Sequence, residues 1–88
     1  MPYKVELSPH AVRDLDGLPK NEAARIAQAP ADLRDNPRPH GVLKVKGPGP
    51  PTWRLRVGRF RVLYTVSDKV RLVVVLRVRR RSEDKYDS

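Results

Sequence analysis

Four arginines stand in the fifteen residues "TWRLRVGRFRVLYTV", 52–66, divided by a single glycine into the pairs Arg54/Arg56 and Arg59/Arg61. A strand points its side chains alternately to two faces. Arg54 and Arg56 therefore share one face, with Leu55 and Val57 on the other. After Gly58, Arg59 and Arg61 share a face opposite Phe60, Val62 and Tyr64. A turn at Val57–Gly58–Arg59 would lay the two arginine pairs side by side. Like charges directly opposite one another weaken a sheet, so this arrangement calls for an anionic partner or a fully solvated face. Guanidinium forks bind phosphate oxygens bidentately and stay charged at any physiological pH.

Cleavage of RNA by its own 2′-hydroxyl has three requirements: a base at that hydroxyl, positive charge at the phosphorane and an acid at the leaving oxygen. Arginines suit the second task, since preorganised charge at a developing anion is often the largest catalytic term. They are poor bases, because their pKa exceeds about 12. A paired-histidine mechanism is not available. His10 and His40 lie far apart, neither falls beside the arginines, and His40 has no assigned role.

The rest of the composition narrows the field. The 88 residues carry 19 lysines and arginines against 10 acids, a net charge of +9. Residues 1–35 hold five basic and six acidic side chains, whereas 36–82 hold thirteen basic residues and only Asp68; Glu83, Asp84 and Asp87 turn the last residues acidic again. A basic field concentrated on part of a small domain points to a polyanion, nucleic acid first. There is no cysteine, hence no disulfide and no thiolate site, and the histidine spacing suggests no metal. No apolar run is long enough to span a membrane and "MPYKVELSPH" lacks the apolar centre of a signal peptide, so the expectation is a soluble, cytoplasmic protein. The length predicts one domain, residues 1–88.

The elements that must position the arginines follow from periodicity. "YKVELS", 3–8, alternates as a half-buried strand; Ser8 caps a helix that Pro9 opens, with Ala11, Val12, Leu15 and Leu18 at helical spacing. A second helix follows with Ala23, Ile26, Ala27 and Leu33 on one stripe. Pro30 predicts a kink or a break near Gln28–Ala29 and one more helical turn to Asp35, before "NPRPHG" ends the helix. "VLKVK", 42–46, reads as a strand, "GPGPP" as a loop, 52–66 as two strands, "SDK", 67–69, as a turn, and "VRLVVVLRV", 70–78, as a central strand. Trp53 and Tyr64 are assigned to packing. The predicted fold is α+β in the order β-α-α-β-β-β-β, a mostly antiparallel sheet with two N-terminal helices packed on one face.

These residues, in this order, resemble the RelE/ParE superfamily of bacterial toxin–antitoxin toxins. "YKVELSPHAVRDLDGLP" is similar to its opening strand and helix, "NPRPHG" to its helix exit, "LKVKGPGPPTWRLRVGRFRVLYTV" to its core and "VLRVRRRSEDKY" to its last strand and C-terminal segment. The resemblance implies a microbial-RNase-like fold. Its RelE branch implies an mRNA interferase, a metal- and cofactor-independent endoribonuclease that enters the ribosomal A site, cuts mRNA and inhibits translation. It places catalytic residues at Arg54, Arg56, Arg61, Arg81 and Tyr86. Clustered cations lower the pKa of a neighbouring tyrosine, which suits Tyr86 to the part of base. Lys44, Lys46, Arg59, Arg79 and Arg80 complete the expected RNA-binding set. Some members carry lysines at positions 54 and 56 and a histidine at position 80. The implied partners are an acidic, RelB-like antitoxin that folds on binding in a hetero-oligomer, the bacterial ribosome and mRNA. Two alternatives stay open: a DNA gyrase inhibitor of the ParE branch, and a non-catalytic nucleic-acid-binding module.

Overall fold

Ser8 is where the chain stops being strand and becomes helix. In the computed structural model, which describes residues 2–39, 41–47 and 51–80, β1 spans Lys4–Leu7 and α1 spans Pro9–Asp16. The Ser8 hydroxyl accepts a hydrogen bond from the Ala11 N–H at 3.1 Å, satisfying one of the donors a helix start leaves open, and Pro9 falls where a missing N–H costs nothing. The same hydroxyl donates to the Leu76 carbonyl at 2.8 Å, and the Ser8 N–H donates to the Val75 carbonyl at 2.9 Å. One residue thus caps the helix and ties it to a strand almost seventy positions away.

Of the kink or break expected at Pro30, the second helix shows no break. α2 runs without interruption over Lys20–Asp32 and passes through Pro30. A proline in the last turn gives up the hydrogen bond to the Ile26 carbonyl, and Ile26 and Leu33 on either side of it are buried. The extra turn to Asp35 is a non-helical turn. Tyr64, whose hydroxyl donates to the Pro37 carbonyl at 2.7 Å, fastens the segment beyond it.

The remaining chain forms β2 (Leu43–Val45), β3 (Thr52–Val57), β4 (Phe60–Ser67) and β5 (Leu72–Arg80). With β1 they make a five-stranded sheet in the order β1-β5-β4-β3-β2. β1 lies parallel to β5 and the other pairs are antiparallel. Gly58 and Arg59 close the β3–β4 hairpin, and Gly58 supplies the positive φ of 58° that such a two-residue turn requires at its first position. β5 starts and ends two residues later than its apolar run suggests. Asp68–Arg71 form the turn before it, with Arg71 at φ 55°, and pairing with β4 carries the strand on to Arg80.

One irregularity decides what β5 presents to each side. Leu63 pairs with Arg77 but Tyr64 pairs with Val75, so Leu76 is an extra residue in the ladder, a bulge. Val73 and Val75 are buried before it and Val78 after it. Strict alternation would have carried Arg77 and Arg79 into the apolar interior with Val73 and Val75; the bulge turns them out. The core itself joins Ala11, Ile26 and Leu33 to Phe60, Val62, Tyr64, Val73, Val75 and Val78, with Trp53, Leu55 and Val57 packed against them. Both helices therefore cover one face of the sheet, and among the described residues the other is left open.

Candidate nucleic-acid interface

The open face is where the arginines collect. In the hairpin Arg56 stands opposite Arg61, and across the next pair of strands Arg61 stands opposite Arg79. Three arginines thus form one row over β3, β4 and β5, the middle one on the central strand. Adjacent strands are about 4.8 Å apart, so the row spans about 10 Å. Two unit charges ~5 Å apart repel by about 0.8 kcal/mol in water, and guanidinium tips farther apart repel by less. Phosphate oxygens placed over the row would remove that repulsion.

The next row along the strands reads Leu43, Arg54, Leu63 and Arg77. Gly41, Leu43, Arg54, Arg56 and Arg61 line a hollow of about 200 Å³ between the rows. Pockets that enclose small molecules measure roughly 300–1,000 Å³ and are mostly apolar; this one is smaller and cationic, and it suits a phosphate with the edge of its sugar. Arg54 and Arg61 are half-buried, Arg56 is exposed. Gly41 sits at the rim with φ 97°, a conformation other residues rarely adopt.

Asp14 of α1 holds the end of β5 in place. Its carboxylate accepts hydrogen bonds from Arg77 Nε at 3.0 Å, Arg77 Nη2 at 3.4 Å and the Val78 N–H at 2.9 Å. β1 ends at Leu7, so β5 beyond Val75 would otherwise show an open edge. Burial pushes the Asp14 carboxyl up. The Arg77 and Val78 hydrogen bonds and the charges of Arg77 and Arg79 outweigh it and hold the group below its ordinary value. At the opposite end of the sheet Arg38 pairs with Asp68 at 2.5 Å and lies over Trp53, its guanidinium 5.6 Å from the ring centroid. The Tyr3 hydroxyl donates to Asp68 at 2.6 Å.

The residues singled out in the sequence divide accordingly. Arg54, Arg56 and Arg61 come together, and Arg79 joins them as the third member of the row. Arg59 does not: it lies in the hairpin turn, with Nε 3.9 Å from Glu22 Oε1 on α2. Arg80 is exposed at the end of β5 and lies over the Phe60 ring at 5.9 Å, on the helical side. Lys44 pairs with Trp53 and so leaves the sheet on the side away from Arg54; Lys46 is exposed beyond β2. Arg81, Tyr86 and His40 lie outside the described residues. Tyr64 is fully buried, and burial pushes its hydroxyl up to about 12. Arg79, expected in the RNA-binding set, lies within β5, and the sequence pattern did not point to Gly41, Leu43 or Asp14. The glycine after "NPRPH" was the one local signal for the rim. Among the described residues no group of three or more histidine, aspartate or glutamate side chains could hold a metal ion, and no helix is long and apolar enough to cross a membrane.

Two helices on one face of a five-stranded mixed sheet, with a cationic row on the other, define a class of small α+β proteins. Its structural relatives are toxins of toxin–antitoxin pairs. The chain superposes with a TM-score of 0.79 and 30% identity on the archaeal RelE–RelB complex from Pyrococcus horikoshii OT3, covering 92% of this chain and 97% of the other. Against the toxin–antitoxin complex RelBE2 from Mycobacterium tuberculosis the values are 0.81 and 31%, with 91% and 99% covered. It is 29% identical over 84 residues to RelE1 of Methanocaldococcus jannaschii, with 92% of each chain covered. The family model described as the ParE toxin of type II toxin–antitoxin system, parDE, matches residues 5–85. The chain belongs to the RelE/ParE superfamily and is a toxin of a type II toxin–antitoxin system.

Proposed function

We propose that this toxin is a metal-independent endoribonuclease of the RelE branch, which cuts mRNA in the ribosomal A site and so stops translation in the cytoplasm. The row Arg56–Arg61–Arg79, with Arg54 beside it over the hollow, is the observation that carries the proposal. The reaction forms a bond from the 2′-oxygen to phosphorus and breaks the bond from phosphorus to the 5′-oxygen. The 2′-hydroxyl loses its proton to a base, and the leaving 5′-oxygen gains one. Between the two events the phosphorane carries extra negative charge. Arg54, Arg56 and Arg61 are the groups to hold it, and Arg81, the residue that follows Arg80 in the sequence, is assigned to the same task.

Tyr86 takes the role of base in this reading, and two observations support it. The chain has three tyrosines. The hydroxyl of Tyr3 is engaged by Asp68, and that of Tyr64 is buried against Pro37 and pushed up to about 12. A site made of arginines cuts free RNA slowly, so the ribosome must position the message. The solved relatives are RelE–RelB and RelBE2 complexes. A chain of charge +9 with an uncovered cationic face fits a RelB-like antitoxin whose acidic segment wraps that face in a hetero-oligomer.

Mapping transcript ends after brief induction in bacteria tests the proposal. Cuts inside translated codons are expected. The matched family model bears the ParE name, which favours a second reading, inhibition of DNA gyrase without hydrolysis. Gyrase–DNA adducts in place of mRNA cuts would establish that one.

A further inference from the structure

The helical side of the β3–β4 hairpin carries a second convergence of arginines that the row on the open face does not use. Gly58 opens the turn, and a Cβ added there would lie 3.7 Å from Arg25 Nη1. Arg25 comes from α2, Arg59 from the turn itself and Arg80 from the end of β5, where it lies over Phe60. Glu22, Arg25, Ile26, Val57, Gly58, Arg59 and Phe60 line a shallow hollow of about 80 Å³. Two guanidinium groups, from α2 and from the turn, line this depression against the single carboxylate of Glu22, and a third, that of Arg80 from β5, lies over Phe60, which also lines it.

We propose that Arg25, Arg59 and Arg80 form a second RNA-backbone site, continuous with the Arg56–Arg61–Arg79 row around the tip of the hairpin. The proposal rests on the endoribonuclease reading and extends it. The two sites are one residue apart along the strands. Val57, Phe60 and Arg80 form the row next to Arg56, Arg61 and Arg79, and the turn of Gly58 and Arg59 lies just beyond. A polyanion that follows one cationic row off the open face meets the other next. The hollow is too small for a base or an aromatic side chain and large enough for a phosphate oxygen or a ribose edge. All three cations are arginines, whose forks match phosphate.

Glu22 acts as a placeholder. Its contact with Arg59 is long, 3.9 Å, and Arg59 is 71% exposed. Ion pairs of this kind contribute little to stability, and a phosphate replaces the carboxylate at small cost. Removing Glu22 therefore strengthens RNA binding rather than weakening the protein.

The test compares the full-length toxin with Arg25→Ala, Arg25→Lys, Arg59→Ala and Glu22→Gln variants, each checked for folding by circular dichroism. Binding is measured over a range of salt concentrations, to a short unstructured RNA oligonucleotide and to bacterial ribosomes programmed with a defined mRNA. Each lost phosphate contact should flatten the slope of log K against log salt by about 0.7 for a single strand. Arg25→Ala and Arg59→Ala should each weaken binding several-fold with that change in slope. Arg25→Lys should recover part of it, and Glu22→Gln should bind more tightly with a steeper slope. Loss with the oligonucleotide assigns the site to the message; loss confined to ribosomes assigns it to ribosomal RNA, the same backbone chemistry. Folded Arg25→Ala and Arg59→Ala proteins with unchanged affinity and slope would overturn the proposal, as would a loss seen only in antitoxin binding. Failure of the endoribonuclease reading shows separately, as an absence of transcript cuts in the wild type.

Discussion

Replacing Asp14 tests how the third arginine of the row is kept in place. The Asp14 carboxylate, 19% exposed, takes the Val78 N–H and the fork of Arg77 at the point where β5 has lost its β1 neighbour. A hydrogen bond to a charged acceptor contributes about 1.5–3 kcal/mol. Arg77 is 43% exposed, so its ion pair is screened and counts for about 0–1 kcal/mol. Asp14→Ala should therefore cost about 2–3 kcal/mol. In a domain of this size that lowers Tm by about 10–20 °C. Asp14→Asn keeps an oxygen for Val78 and loses the charge, so its Tm should fall by about half as much. The folded carboxyl sits below the ordinary 3.8. Its contribution is therefore complete above that value and is lost as pH falls through the lower folded one. Thermal melts followed by circular dichroism should show a constant gap between wild type and Asp14→Ala above about pH 5, and the gap should close on further acidification. Below its melting temperature Asp14→Ala should also cut mRNA more slowly, because the strand end that carries Arg79 frays. An Asp14→Ala protein that melts with the wild type, or a gap that survives at low pH, would refute the reasoning.

Further outcomes concern Arg61, the tyrosines and Lys44. Arg61→Ala should lower mRNA cleavage by roughly 10²–10³ with the protein still folded, and Arg61→Lys should restore only part because it keeps the charge without the fork; single-turnover cleavage on programmed ribosomes measures both. Tyr86→Phe should reduce cleavage without changing Tm, whereas Tyr64→Phe should keep cleavage and lose about 1–2 kcal/mol by leaving the Pro37 carbonyl without its donor. Because the Tyr64 hydroxyl is raised to about 12, the wild type should also lose stability as pH climbs above about 10, and Tyr64→Phe should not. Lys44 leaves the sheet on the side away from Arg54, so Lys44→Ala should change the salt dependence of RNA binding less than Arg56→Ala does, as fluorescence anisotropy titrations would show.

Much of the open face is legible in the amino-acid sequence, because it needs only the two-residue period of a strand. Arg54, Arg56 and Arg61 had to lie opposite Leu55, Val57, Phe60 and Val62 once a turn fell at Gly58, and the strands obey that alternation through the whole hairpin. The start of α1 is legible for a similar reason: a serine cap and a first-turn proline act on their own immediate backbone. The class of fold follows from the order of periodicities.

The tertiary structure alone decided where Arg59, Arg77, Arg79 and Arg80 would go. "VVVLRVRR" has no local mark for the bulge at Leu76. It forms where Ser8 takes the carbonyl of Leu76 and Asp14 takes the N–H of Val78, partners more than sixty residues away in the chain. That shift of one residue brings Arg79 into the row with Arg56 and Arg61, while pairing at the hairpin tip sends Arg59 and Arg80 to the helical side. The same long-range packing carries α2 through Pro30, against the local preference of the proline. A strand's period is a property of neighbouring residues, and so the sequence shows it. Edge satisfaction depends on which distant donors and acceptors arrive at the strand, and only the folded chain brings them there.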